Sequence, residues 1–216
     1  MTAAERGIWL DDTTHRDDLA TFTERVLRLD QAAVIRLRQR SDDRLLAWAA
    51  TGFDVLAGRV VGGRIKPADL AVAADALAAG LAAMTPDGHV EPGFTMDSAW
   101  RGALPPETGF THLDDVPAHV VLELAERGGA LAKQHSSAHG PPVSLLDQDV
   151  MAVSSGDETV DIPMRCVFAL TAMGFVPPTV TDEEIVRVRV HPTWLRIDAR
   201  FGSVYRRRGA PAVVLG

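Results

Sequence analysis

Between Ile185 and Arg208 the side chains alternate with period two. Val186, Val188 and Val190 fall on one parity, Arg187, Arg189 and His191 on the other. In the next run Leu195, Ile197 and Ala199 oppose Trp194, Arg196, Asp198 and Arg200, and in Ser203–Arg207 Tyr205 shares its parity with Arg207. A helix repeats every 3.6 residues and cannot hold such a pattern on two clean faces, whereas a strand does so by construction. Ile185–His191, Trp194–Ala199 and Ser203–Arg207 are therefore predicted as three extended segments with one buried and one arginine-rich face. A sheet that keeps one face wet is antiparallel, which constrains the fold more than any other feature of the chain.

The same segments concentrate charge. Ile185–Arg208 holds seven arginines against one aspartate, a net +6, so the rest of the chain carries −13 of a total of −7. Like charges opposite one another across a sheet are unfavourable by a few tenths of a kcal/mol per pair. The row needs counter-charge, and three sources are open: the chain's own carboxylates, a protein partner's acidic surface, or a nucleic-acid backbone. Arginine stems also cover apolar surface while the head group stays in water. Aromatics among arginines are typical of protein interfaces and of single-strand stacking platforms. A similar alternation at Ala32–Arg40 places Arg36 and Arg38 on one parity. The candidate interaction set is Arg36, Arg38, Arg187, Arg189, Trp194, Arg196, Arg200, Tyr205 and Arg207.

The overall acidity argues against a dedicated nucleic-acid or anionic-membrane binder. A protein partner or a second copy of the chain is thus favoured over nucleic acid, and no membrane partner is expected. The first ten residues have neither a basic start nor an apolar centre, and no apolar run approaches membrane-span length. A cytoplasmic location is expected. The single cysteine, Cys166, rules out an intramolecular disulfide and reads as a small buried apolar residue.

Along the chain, residues 1–12 read as a mobile tail. Thr13–Leu29 carries Leu19, Phe22, Val26 and Leu29 on one helical stripe, with Thr13 or Thr14 as N-cap. Ala32–Gln39, Arg44–Ala50 and Phe53–Val61 read as a meander punctuated by Gly52 and Gly62-Gly63. Pro67 is placed at the start of a helix that runs through Leu70–Met84. Asp114 and Asp115 are read as the start of another helix, with Val116, Val120, Leu124 and Leu131 as its buried stripe and Gly128-Gly129 as its weak middle. Asp149–Ser155 and Thr159–Pro163 flank a Gly156-Asp157 turn, and Met164–Phe175 is an apolar helix. The fold class is α+β: an antiparallel sheet with helices mainly on one face, in two similar lobes of one domain. The expected organisation is a tail (1–12), an N-terminal lobe (13–84), an ordered Pro/Gly-rich connector (85–114) and a C-terminal lobe (115–216).

The connector contains Trp100 through Phe110, too apolar for a free linker. Trp100, Arg101 and Glu107 mark a candidate pocket, the basis of an enzyme reading. No nucleophile elbow, P-loop, dinucleotide-binding glycine pattern or zincin motif is present. His135 and His139 lack the further ligands that a metal would need at a known spacing. Neither a metal nor a cofactor is expected. The primary reading is a non-catalytic interaction or adaptor protein, with nucleic-acid binding by the same face and an enzyme of unknown class as alternatives.

Four segments resemble uncharacterised actinobacterial proteins of unknown function: Trp100–Gly109, Ser144–Gln148, Arg165–Leu170 with Met173–Phe175, and Gly202–Arg207. The resemblance spans most of residues 95–208. It implies a bacterial cytoplasmic protein and transfers no activity, cofactor or site residue.

Overall fold

The computed structural model describes residues 6–135 and 141–209. The chain divides into two compact units. The first comprises Met1–Gly52 with Leu56–Ala103, the second Phe53–Val55 with Leu104–Gly216. Both are α+β with antiparallel strands.

In the first unit, β1 (Gly7–Leu10) precedes α1 (Thr13–Leu29), then β2 (Val34–Gln39), β3 (Arg44–Ala50), β4 (Leu56–Lys66), β5 (Asp69–Ala73), α2 (Ala74–Ala82) and β6 (His89–Val90). The sheet order is β5-β2-β3-β4, and β1 pairs with both β4 and β6. The α1 stripe buries Leu19, Phe22 and Val26. Its N-cap is Asp12 rather than a threonine: Asp12 is extended, and its Oδ1 accepts from the His15 amide at 3.0 Å. That bond holds the Asp12 carboxyl below the usual aspartate value.

Three expectations fail here for one reason, strand pairing that local sequence does not show. Gly7–Leu10 lies within the presumed tail but is a strand buried along its whole length. Buried on every side, it has no alternation to read. Gly62 and Gly63 lie inside β4 instead of ending it. A Cβ at Gly63 would stand 2.4 Å from the Trp9 carbonyl oxygen, so glycine is what lets β1 approach. Pro67 follows a cis peptide bond in the turn before β5, and Leu70 through Val72 are strand, paired with β2. The helix starts at Ala74 and buries Ala74, Leu77 and Leu81.

In the second unit the order is β7 (Thr111–Pro117), α3 (Ala118–His135), α4 (Val143–Leu146), β8 (Asp149–Ser155), β9 (Glu158–Pro163), α5 (Met164–Ala172), β10 (Ile185–His191), β11 (Trp194–Ala199) and β12 (Gly202–Arg207). The main sheet runs β12-β11-β10-β7, and β8-β9 form a separate hairpin about Gly156, whose φ is 58°. Asp114 and Asp115 are strand residues, because Thr111–Pro117 pairs with β10. The helix therefore begins at Ala118. Its buried residues include Ala118, Val121 and Gly128, whereas Leu131 is exposed. A Cβ at Gly128 would meet the Met164 side chain at 2.7 Å, so this glycine is where α3 and α5 touch. His135 ends α3, but its side chain and His139 lie outside the described residues.

Six of the nine residues of α5 are buried, including Arg165 and Cys166. Burial in apolar surroundings pushes the Cys166 thiol up to about 12. Arg165 survives there because Nη1 donates to the Phe53 carbonyl at 2.6 Å and Nη2 pairs with Asp147. An unpaired guanidinium at this depth would be strongly destabilising.

Candidate interaction face

The sheet of the second unit sorts its side chains by parity. Val186, Val188, Val190, Leu195, Ile197 and Val204 are buried. On the other parity the register makes three cross-strand rows. Arg189 lies opposite Arg196, and Arg196 opposite Tyr205. Arg187 lies opposite Asp198, which lies opposite Ser203. His191 lies opposite Trp194, which lies opposite Arg207. β7 extends the first two rows, with His112 beside Arg189 and Asp115 beside Arg187.

Asp198 is the hub. Arg189 Nε donates to its Oδ2 at 2.9 Å and Arg196 Nε to its Oδ1 at 2.6 Å. The Ser203 hydroxyl donates to Oδ1 at 2.5 Å. One carboxylate thus serves two arginines, each held by its Nε edge. A guanidinium carries five N–H donors, so the terminal Nη groups of both arginines keep their hydrogen-bonding capacity. Arg196 also sits between two rings, 5.7 Å from the Phe110 centroid and 5.5 Å from that of Tyr205. Such cation–π contacts contribute about 0.5–1 kcal/mol at exposed sites. Phe110 packs on His191 at 5.5 Å and edge-on to Tyr205 at 6.1 Å. Arg207 lies 5.8 Å over the Trp194 ring.

Trp194 and Tyr205 are each 5% exposed. They are platforms under the guanidinium groups rather than outward-facing contacts. Arg187 is exposed, 3.6 Å from Asp115, which also takes a 2.8 Å contact from His112 Nε2. Arg200 is not in a row. It occupies the turn between β11 and β12 and pairs with Glu184 at 3.1 Å. Arg206 takes the opposite parity, and its Nη2 approaches Asp147 at 4.0 Å.

Arg36 and Arg38 stand in the first unit, on β2, and both pair with Asp69. The Arg36 bond is bidentate, at 2.7 and 2.8 Å, and raises the basicity of that guanidinium. Sequence parity groups them with the C-terminal arginines; they belong to the first unit, whereas Arg187, Arg189, Trp194, Arg196, Tyr205 and Arg207 lie on one parity of the second unit's strands. Phe110, His112 and Asp115 were not recognised as neighbours of that face. The pairing of β7 with β10 brings His112 and Asp115 there, and no local signal marked it.

Trp100 lines a cavity of about 250 Å³ with Arg36, Asp69, Ala71 and Asp97. Arg36 lies 6.0 Å from the Trp100 ring, and Asp97 Oδ1 accepts from the Ala71 amide at 2.7 Å. Arg101 and Glu107, expected beside Trp100, are exposed and do not line it, and Glu107 belongs to the other unit. Among the described residues no three His, Cys, Asp or Glu side chains converge as metal ligands would, and no helix is long and apolar enough to cross a membrane.

The fold is that of bacterial sliding clamps. A beta sliding clamp from Caulobacter crescentus superposes with a TM-score of 0.60 at 13% identity, over 96% of this chain and 66% of the clamp chain. A DNA polymerase III beta subunit from Thermotoga maritima and a DNA polymerase beta subunit from Streptococcus pyogenes give TM-scores of 0.56 at 12% identity. They are matched over 96% and 95% of this chain and 66% and 65% of their own. The chain therefore spans about two thirds of the length of the clamps it matches. At this identity the likeness defines the fold alone. By sequence, residues 3–102 match the model of a domain of unknown function, DUF8010, and residues 105–211 match that of another, DUF8185. The break between them falls where the two compact units meet along the chain. No curated protein matches.

Proposed function

We propose that the protein is a non-catalytic interaction protein that docks a protein partner on the arginine–aromatic face of its second unit. One observation carries this reading: Arg189 and Arg196 are fixed side by side through Nε on a single carboxylate, with Phe110 and Tyr205 bracketing Arg196. Side chains already held in place lose little freedom on binding, which favours association. Aromatic and arginine residues dominate the centres of protein interfaces. A fold shared with sliding clamps suits such a role. The cytoplasm is the compartment we assign.

The test is photo-crosslinking in cells of origin from p-benzoylphenylalanine placed at position 110, with adducts identified by mass after nuclease treatment. A defined protein adduct should form and should disappear when Arg187→Glu and Arg207→Glu are introduced together, with the thermal midpoint nearly unchanged. Adducts indifferent to those charges would remove this face as the docking surface. A second reading, nucleic-acid binding, rests on the same guanidinium groups. It predicts nuclease-sensitive capture and affinity that falls steeply with salt.

A further inference from the structure

Resting on that docking role, we infer that the group recognised by this face is a carboxylate of an acidic protein segment, held by the outward Nη edges of Arg189 and Arg196. The argument begins with local charge. Arg187, Arg189, Arg196 and Arg207 stand on the face, and the carboxylates beside them are Asp115 and Asp198. The face therefore keeps two positive charges after its own ion pairs are made. Asp198 engages both central arginines through Nε, which leaves the terminal Nη1–Nη2 edge of each guanidinium for a second acceptor. That is the geometry a carboxylate accepts in bidentate form. Phe110 adds an apolar wall, since its ring is only half-buried against His191 and Tyr205.

The size of the patch and the charge beyond it choose among anions. Adjacent strands lie about 4.8 Å apart, so three strands of arginines make a patch roughly 10–15 Å wide. That suits two or three acidic side chains of an extended peptide. A nucleic-acid strand continues past such a patch. Here it would meet a chain whose remaining residues are net acidic. A polyphosphate backbone would be repelled where a short acidic segment would not.

The experiment uses the full chain and fluorescence anisotropy at physiological salt. Three probes of equal length are compared: a labelled twelve-residue peptide rich in Asp and Glu with one central Leu, the same peptide with Asn and Gln replacing the acids, and oligothymidylate. The acidic peptide should bind about tenfold or more tighter than its amide version, the expected worth of one charge-assisted bond. Arg196→Gln should erase that preference, and Arg200→Gln, off the face, should retain it; both variants must unfold cooperatively for the comparison to count. Equal binding of the two peptides, or preference for oligothymidylate, overturns the carboxylate assignment. Self-association of the chain that blocks peptide binding overturns the foreign occupant in favour of a second copy. If position-110 adducts persist but acidic peptide does not compete for them, docking stands and only the carboxylate assignment falls. If neither adduct nor peptide binding is found, both fall.

Discussion

Asp198 does the work of two counter-ions with one carboxylate. Arg189 and Arg196 face each other directly across β10 and β11, an arrangement that is unfavourable when uncompensated. Asp198 is only 19% exposed at its side chain, so its bonds to Arg189, Arg196 and Ser203 are partly shielded from water. Replacing Asp198 by Asn keeps the shape and removes the charge. Urea denaturation should then show a loss of about 1–3 kcal/mol, more than a surface ion pair contributes. An unchanged midpoint would mean that solvent alone satisfies both arginines. Cys166 is a second residue whose chemistry the fold sets. With its thiol pushed up to about 12 by burial, it should resist iodoacetamide in the native protein at pH 8 and react only when denaturant opens α5. Rapid native labelling would show that α5 is not packed as described.

At the scale of elements, α1 and α2 are secured by different means. Asp12 caps α1, and its carboxyl lies below the usual aspartate value chiefly through the bond from the His15 amide. A depressed folded value means that the cap's contribution is complete above the ordinary aspartate value and fades as pH falls through the lowered one. The His15 amide resonance should therefore titrate with a midpoint below that of a free aspartate, and Asp12→Asn should abolish the titration while keeping the helix. Helix α2 depends on a close approach instead. Gly80 sits in the last turn of the helix, where alanine would ordinarily stabilise by up to about 1 kcal/mol. A Cβ there would lie 2.1 Å from the Glu91 carbonyl oxygen, and backbone cannot move as a flexible side chain does. Gly80→Ala should consequently lower stability by about 1–3 kcal/mol in thermal or urea unfolding. A stabilised variant would place the 91 carbonyl elsewhere.

For the whole molecule, the chain break between the two family matches is not quite the break between folded units. Phe53–Val55 lies within the first family match yet belongs to the second compact unit, where the Phe53 carbonyl accepts from buried Arg165. A fragment beginning at Leu104 would leave that guanidinium with Asp147 as its remaining close partner. Its urea midpoint should lie below that of the second unit in the full chain, and Arg165→Met should narrow the gap by removing a charge that the fragment can no longer satisfy. If the fragment is as stable as the intact protein, residues 53–55 are dispensable to it. Strands β2, β10 and β11 and helix α1 were legible because each has its own periodicity within one segment, and the β8-β9 hairpin because of its Gly156-Asp157 turn. β1, β5 and β7 were not, because what makes them strands is a hydrogen-bonding edge offered by a partner far along the chain. Sequence alone determined the α+β class, the parity of the C-terminal arginines and the segregation of charge, since alternation and composition are local quantities. Tertiary pairing decided that Arg36 and Arg38 sit in the other unit on Asp69, that Arg200 turns away to Glu184, and that Phe110 closes over Arg196. The partner of a side chain depends on which strand edge lies beside it, and that is settled only when distant segments pair.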